Sequence, residues 1–375
     1  MIYLDNSATT FPKPSCVYDA LDYANRNLAF NAGRGNYKES NEASKIIDEA
    51  RSAIAEFVNG DPKQVSFVSS ATEALNLIIM GLGLEDGDCV YITPFEHNAI
   101  VRPLYNIKKH VDIEILTLPF NRETWEPDIS KIDEMFAFKK PRAIFVSQLS
   151  NVTGLLVDYE NIFKLGKQYQ CATILDSAQS YGIKNPNLTY VDYCVFAGHK
   201  SLYASFGVAG IISEKYKDLN VVKSGGNGSD SLNHNMPESG HERLEAGSPN
   251  IVAIYGLLQS TKWLKENDVL DHEKNLTEYL LQSLDSLDKI VIYKPISYNK
   301  LLGIVSINVE GYTSDEVASI LSDEFDISVR SGYHCSPFVH DFIGSNKFKG
   351  TVRISLGAFN TKEDIDKLIS ALKTL

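Results

Sequence analysis

Two short stretches hold residue types that could do chemistry. In the first, an apolar run (Tyr193, Cys194, Val195, Phe196) breaks at Ala197-Gly198 and presents His199-Lys200. An ammonium has little reason to sit where a buried strand ends, because desolvating it is costly. Desolvation also lowers a lysine pKa and makes its amine a nucleophile, the requirement of Schiff-base chemistry. A lysine opening an ordinary surface loop is the plainer alternative for this residue taken alone. The second stretch ends a strand in Asp176-Ser-Ala-Gln179, 24 residues before Lys200. That spacing fits one strand-turn-strand excursion, so acid and amine can converge on one rim. His97, just past another strand, and Cys335, in Arg330-Ser-Gly-Tyr-His334-Cys335, are the remaining candidates.

Short apolar strands are expected at 64–68, 88–94, 113–118, 143–147, 172–175 and 193–196, alternating with helices, which points to an α/β fold with a mostly parallel sheet. In such sheets ligands bind beyond the carboxyl ends of the strands. Ser69-Ser-Ala71-Thr72 follows a strand and opens an apolar helix, a helix N-terminus suited to a phosphate. It lacks the glycine pattern of a dinucleotide or P-loop site, which disfavours a nicotinamide or ATP enzyme. Asn151 offers an amide to the same rim. Arg34, in a glycine-flanked loop, and Gly247-Ser248, just before a helix, are possible anion contacts. Ser15 is positioned to cap the first helix. Beyond about residue 265 the pattern changes to helices near 269–287 and 314–324 and strands at 291–293, 304–309 and 352–355. It ends in a helix capped from Thr361 and reads as a separate small α+β domain.

The chain has 375 residues, enough for a large and a small domain, and a formal net charge of -12. That charge argues against nucleic acid or an anionic membrane surface as partner. No apolar run approaches a membrane span, and the N-terminus has no signal-peptide pattern. The five cysteines form no CxxC pair. A reducing cytoplasm and the absence of a zinc site are therefore expected.

Asp176-Ser-Ala-Gln179, Gly198-His199-Lys200, Glu245-Ala-Gly-Ser248-Pro-Asn250 and Arg330-Ser-Gly-Tyr-His-Cys335 together resemble the class V aminotransferase-fold enzymes that use pyridoxal phosphate (PLP). The likeness is nearest to the cysteine desulfurase and selenocysteine lyase branch, and it runs from Tyr3 to Thr361. It implies fold type I: a large domain with a seven-stranded, mostly parallel sheet over residues 15–265, and a small α+β domain from 1–14 and 266–375. It implies that Lys200 holds PLP as a Schiff base, Asp176 pairs with the pyridinium nitrogen, His97 stacks on the ring and Gln179 reaches its phenolic oxygen. Thr72, the amides around Ala71, and His199 would hold the phosphate, with Ser248 added from the partner of a homodimer. Arg353, Asn151, Arg330 and Arg34 would face the substrate. Cys335 would take sulfur from L-cysteine as a persulfide, its thiolate favoured by His334 or Arg330, leaving L-alanine and passing sulfur to an acceptor. Three departures stand out: Ala197 replaces a common hydroxyl residue, Tyr333 a frequent histidine, and the segment after Cys335 follows a subgroup of less defined substrate. Alternatives are a transaminase, or another PLP lyase or epimerase, on a different small amino acid, and a non-catalytic PLP-fold or sulfur-relay protein.

Overall fold

The computed structural model describes residues 1–33, 35–227 and 232–375. Arg34 therefore lies outside the described residues. The strands are β1 (Ile2–Tyr3), β2 (Val65–Val68), β3 (Cys89–Ile92), β4 (Glu114–Thr117), β5 (Ala143–Ser147), β6 (Ala172–Asp176), β7 (Tyr193–Ala197) and β8 (Ala209–Ile212), then β9 (Ile290–Tyr293), β10 (Ile304–Val309), β11 (Ile327–Ser328), β12 (Arg330–Gly332) and β13 (Thr351–Ser355). The helices are α1 (Ser15–Asn27), α2 (Lys38–Glu56), α3 (Ala71–Gly81), α4 (Asn98–Ile107), α5 (Ile129–Phe138) and α6 (Tyr159–Gln168), then α7 (Ile251–Glu266), α8 (Val269–Leu284), α9 (Ser314–Phe325), α10 (Val339–Ile343) and α11 (Lys362–Leu372).

Seven strands form the main sheet in the order β2-β8-β7-β6-β5-β3-β4. Strands β3 to β7 run parallel, and β8 is antiparallel to both β2 and β7. Every residue of β3, β5 and β7 is buried, as expected for parallel strands covered by helices on both faces. The sequence reading located six of these strands and missed β8. Its four residues, Ala-Gly-Ile-Ile, carry no alternation, and Gly210 is there for close approach. A Cβ on Gly210 would lie 2.3 Å from the Phe196 ring and 2.4 Å from the Ser66 carbonyl oxygen. The register sets Ser147 beside Asp176, and Asp176 beside Val195, so the polar ends of β5 and β6 share a rim with the turn after β7.

A second sheet, β12-β13-β10-β9, is antiparallel throughout. The N-terminus runs beside it: β1 pairs with β11 in a separate two-stranded sheet, and the Ser355 amide donates to the Leu4 carbonyl at 2.7 Å. Thr361 caps α11 with a capping box to Asp364, as expected. Ser15 does not cap α1. Pro14 occupies the cap position in extended backbone, and Ser15 is the first helical residue.

Glu273, on α8, is buried between these parts of the chain and receives the Tyr203 hydroxyl at 3.2 Å. Burial pushes its carboxyl up to about 8. From the ordinary carboxyl value of 4.5 up to about 8, the folded chain keeps a proton that the unfolded chain has released. The contribution of this group is therefore greatest below the unfolded value and is lost as pH rises toward 8. In urea unfolding of wild type beside Glu273→Gln, the stability difference should shift against wild type between pH 6 and 8, by about 1 kcal/mol per pH unit. A difference that stays constant across that range would contradict the assignment.

Candidate active site

The turn after β7 is built so that Lys200 leaves the sheet at its rim. Gly198 permits this, because a Cβ there would lie 2.7 Å from the Val208 carbonyl oxygen. The His199 carbonyl then becomes an anchor, accepting from the Thr9 hydroxyl at 2.9 Å, the Thr10 amide at 3.2 Å and the Lys13 ammonium at 2.8 Å. Lys200 lines a cleft of about 420 Å³. Burial lowers its amine pKa, while Asp176 opposes that shift and Arg353 adds to it.

Asp176 ends β6 in the same cleft and accepts the Ala178 amide at 3.0 Å. Burial raises its pKa against the opposing influence of that amide and of Lys200. A buried acid is costly unless a cation offsets it. Among the described residues Lys200 acts on it as a charge, without a direct ion pair. Near it lies a second acid, one that nothing in the sequence marks out. Glu96 is fully buried and accepts from the Thr93 hydroxyl at 2.6 Å, the Ser147 hydroxyl at 2.7 Å and the Ser147 amide at 2.9 Å. Burial pushes its carboxyl up to about 7, with Asp176 adding to the rise.

His97 caps α4, its Nδ1 accepting the Ala99 amide at 3.0 Å. That bond places the ring proton on Nε2. Burial, with Lys200, Arg353 and Arg102 nearby, lowers its pKa to about 3, so the imidazole is a neutral flat wall of the cleft. His199 stacks on Phe206 at 4.4 Å. Among the described residues its Nδ1 is buried without a partner, and burial lowers its pKa to about 3. Lys13, also missed from sequence, donates to the Thr10 hydroxyl at 2.7 Å, and burial lowers it to about 7. A lysine between two prolines was the available signal.

Ala71 and Thr72 bring the N-terminus of α3 to the cleft, where the first amides of a helix have no intrahelical acceptor. Gln179 also lines it and donates to the Ser7 carbonyl at 2.9 Å. Ser248 does not line this cleft. It lies on a separate cavity of about 360 Å³ beside Arg51 and Glu245, which form an ion pair at 2.6 Å.

From the second sheet come Arg330 and Arg353, both lining the cleft. Asp5 holds the two of them: Arg353 Nη2 at 2.8 Å and Arg330 Nη2 at 3.0 Å. Arg353 also donates to the Asn151 carbonyl at 2.9 Å, and its Nε is buried without a partner among the described residues. Asp5 is not legible from sequence, since one acid shortly after a two-residue strand gives no hint of partners more than 300 residues away.

Cys335 is exposed and lines the cleft on a turn where His334 (φ 47°) and Cys335 (φ 57°) both take the sparsely populated left-handed conformation. The turn is clamped. Asn151 Nδ2 donates to the His334 carbonyl at 2.8 Å, the Ser336 hydroxyl donates to Asn151 Oδ1 at 2.7 Å, and the Asn98 amide donates to the Cys335 carbonyl at 2.6 Å. Of the two groups expected to favour the Cys335 thiolate, Arg330 lines the same cleft, and His334 is not set up to act as a cation. Its ring is buried, its pKa is pushed well below the ordinary histidine range by burial and by Arg353, and its Nε2 donates to the Thr351 carbonyl at 3.0 Å.

The sequence pattern of the aminotransferase class-V family matches residues 2–368, and the chain belongs to that family of PLP-dependent enzymes. Its fold is that of the fold type I cysteine desulfurases among solved structures. It is similar to a protein of Wigglesworthia glossinidia brevipalpis described as a cysteine desulfurase, 30% identical over 99% of this chain and 92% of the relative. A protein of Pyrococcus abyssi described as a probable cysteine desulfurase is 29% identical over 100% and 94%. The apo structure of the cysteine desulfurase from Thermococcus onnurineus NA1 superposes with a TM-score of 0.91 at 27% identity, covering 100% of this chain and 94% of that one.

Asn151 makes two of the bonds that hold the Cys335 turn, each worth about 1 kcal/mol. In Asn151→Ala, amide hydrogen exchange across 333–336 should accelerate by roughly tenfold or more while β5 and β6 exchange as before. Unchanged protection of the turn would show that other contacts fix it.

Proposed function

We propose that this protein is a PLP-dependent cysteine desulfurase that converts L-cysteine to L-alanine and takes the sulfur onto Cys335. The observation that carries the reading is the placing of an exposed thiol on the wall of a cleft that also holds a desolvated lysine, a buried acid and a neutral imidazole.

The residues present fit the cofactor. The unpartnered Nδ1 of His199 and the open N-terminus of α3 suit a phosphate, with Ala71 and Thr72 beside them. Asp176 suits a ring nitrogen, Gln179 a ring oxygen, and the flat His97 imidazole the ring face. Bound there, PLP supplies an aldehyde for the Lys200 amine and a ring that accepts electrons from the substrate.

The chain's own groups divide the remaining work. Burial lowers the Lys200 pKa and so favours the free amine, which can form a covalent bond and later take and return the proton at the substrate Cα. Arg353, with its unpartnered Nε, and Arg330 offer guanidinium donors to the substrate carboxylate, with Asp5 fixing their orientation. Asn151 sets the Cys335 turn against the same space. The Cys335 sulfur bonds to the substrate sulfur as the carbon–sulfur bond breaks, and the substrate carbon takes a proton. L-cysteine and a thiol thereby become L-alanine and a persulfide, with no outside oxidant. Ser248 lies away from the cleft of its own chain, which supports a homodimer in which it serves the partner's cleft. With PLP added, wild type should release alanine from L-cysteine and carry a persulfide at Cys335 by mass spectrometry.

Lys200→Ala should lose the visible absorbance of covalently bound PLP and at least about 10²–10⁴ of the rate. Cys335→Ser should keep that absorbance and lose alanine release from L-cysteine. Amino-group transfer to a ketoacid that survives in Cys335→Ser would instead favour a transaminase.

A further inference from the structure

Cys335 borders a second, outer cavity of about 650 Å³, within the size range of small-molecule sites. Thr72, His97 and Ala99 also belong to both walls, so this turn stands between the catalytic cleft and the outer groove. The far side of the groove is one face of α4 and the turn after it, where Arg102, Tyr105, Asn106 and Lys109 follow helical spacing and are all exposed. Among the described residues no carboxylate lines this groove, in a chain with 48 acidic residues against 36 Lys and Arg. Two cations and, among the described residues, no acid give this groove a local positive character on a protein of net charge -12, which favours an anion.

We propose that the outer groove admits a small carboxylate-bearing thiol as the acceptor of the Cys335 sulfur. The proposal rests on the desulfurase reading for the origin of that sulfur. The acceptor thiolate would attack the outer sulfur of the Cys335 persulfide. A sulfur–sulfur bond to the acceptor forms, the bond between that sulfur and Cys335 Sγ breaks, and its electron pair leaves on the Cys335 thiolate. The acceptor departs as a persulfide, and no further oxidant or reductant is needed. Arg102 and Lys109 would pair with the acceptor carboxylates while its thiol reaches Cys335 from the side away from Lys200.

The approach of a thiol to Cys335 can be measured without turnover. In full-length Cys16→Ser protein, whose other cysteines apart from Cys335 are buried, Cys335 is converted to its 2-thiopyridyl disulfide. Release of 2-thiopyridone by mercaptosuccinate and by 2-mercaptoethanol is followed by absorbance, each normalised to its rate on a free cysteine thiopyridyl disulfide. Mercaptosuccinate should show a normalised advantage of about five- to tenfold. That advantage should fall to near one in Arg102→Gln/Lys109→Gln and at high salt. A ratio near one in the unsubstituted groove, or an advantage that persists in the double variant, overturns the proposal and leaves the groove to no anionic thiol. The exchange uses neither PLP nor L-cysteine, so failure of the desulfurase reading, seen as absence of alanine, is a separate result.

Discussion

Burying an amine and a carboxyl at one rim of a parallel sheet is the constraint on which the rest of the site depends. Water would hold Lys200 charged and Asp176 ionised, whereas burial drives each toward its neutral form. The neighbouring groups follow the same rule. Burial pushes Glu96 up, and His97 and His199 down. A group entering the cleft with its own phosphate and ring would meet donors that have not been neutralised in advance by ion pairs. The two arginines are the exception, and Asp5 holds them at the edge of the cleft.

The first thirteen residues do more than begin the chain. Asp5 fixes Arg330 and Arg353, the Ser7 carbonyl receives Gln179, and Thr9, Thr10 and Lys13 together grip the His199 carbonyl. One short segment thus ties the turn carrying Lys200 to the sheet carrying Arg353. The Cys335 turn is held in the same manner from both sides, by Asn98 at the start of α4 and Asn151 after β5. Two successive left-handed residues cost free energy, and that cost is offset by these hydrogen bonds.

The alternation of apolar strands with helices carried the α/β class, because parallel strands covered on both faces must be apolar at nearly every position. Lys200, Asp176 and His97 stood out for a local reason, each a reactive type at or just past the end of a strand, whereas the role of Cys335 came with the Arg330–Cys335 motif that carries the family resemblance. The strand β8 was not legible, since its pairing depends on Gly210 fitting under Phe196. Glu96 and Lys13 were equally hidden, because a charged residue declares its role only when its burial is known.

The sequence alone determined which chemistry was available and on which elements it sat, since periodicity and residue type are local properties. Tertiary structure decided the partners. It gave Asp5 to both arginines, made His334 a neutral buried ring rather than an activator of Cys335, separated Ser248 from the cleft of its own chain, and placed Cys335 between two cavities. Those outcomes rest on desolvation and on contacts between residues far apart in sequence, and neither has a signature in the spacing of the chain.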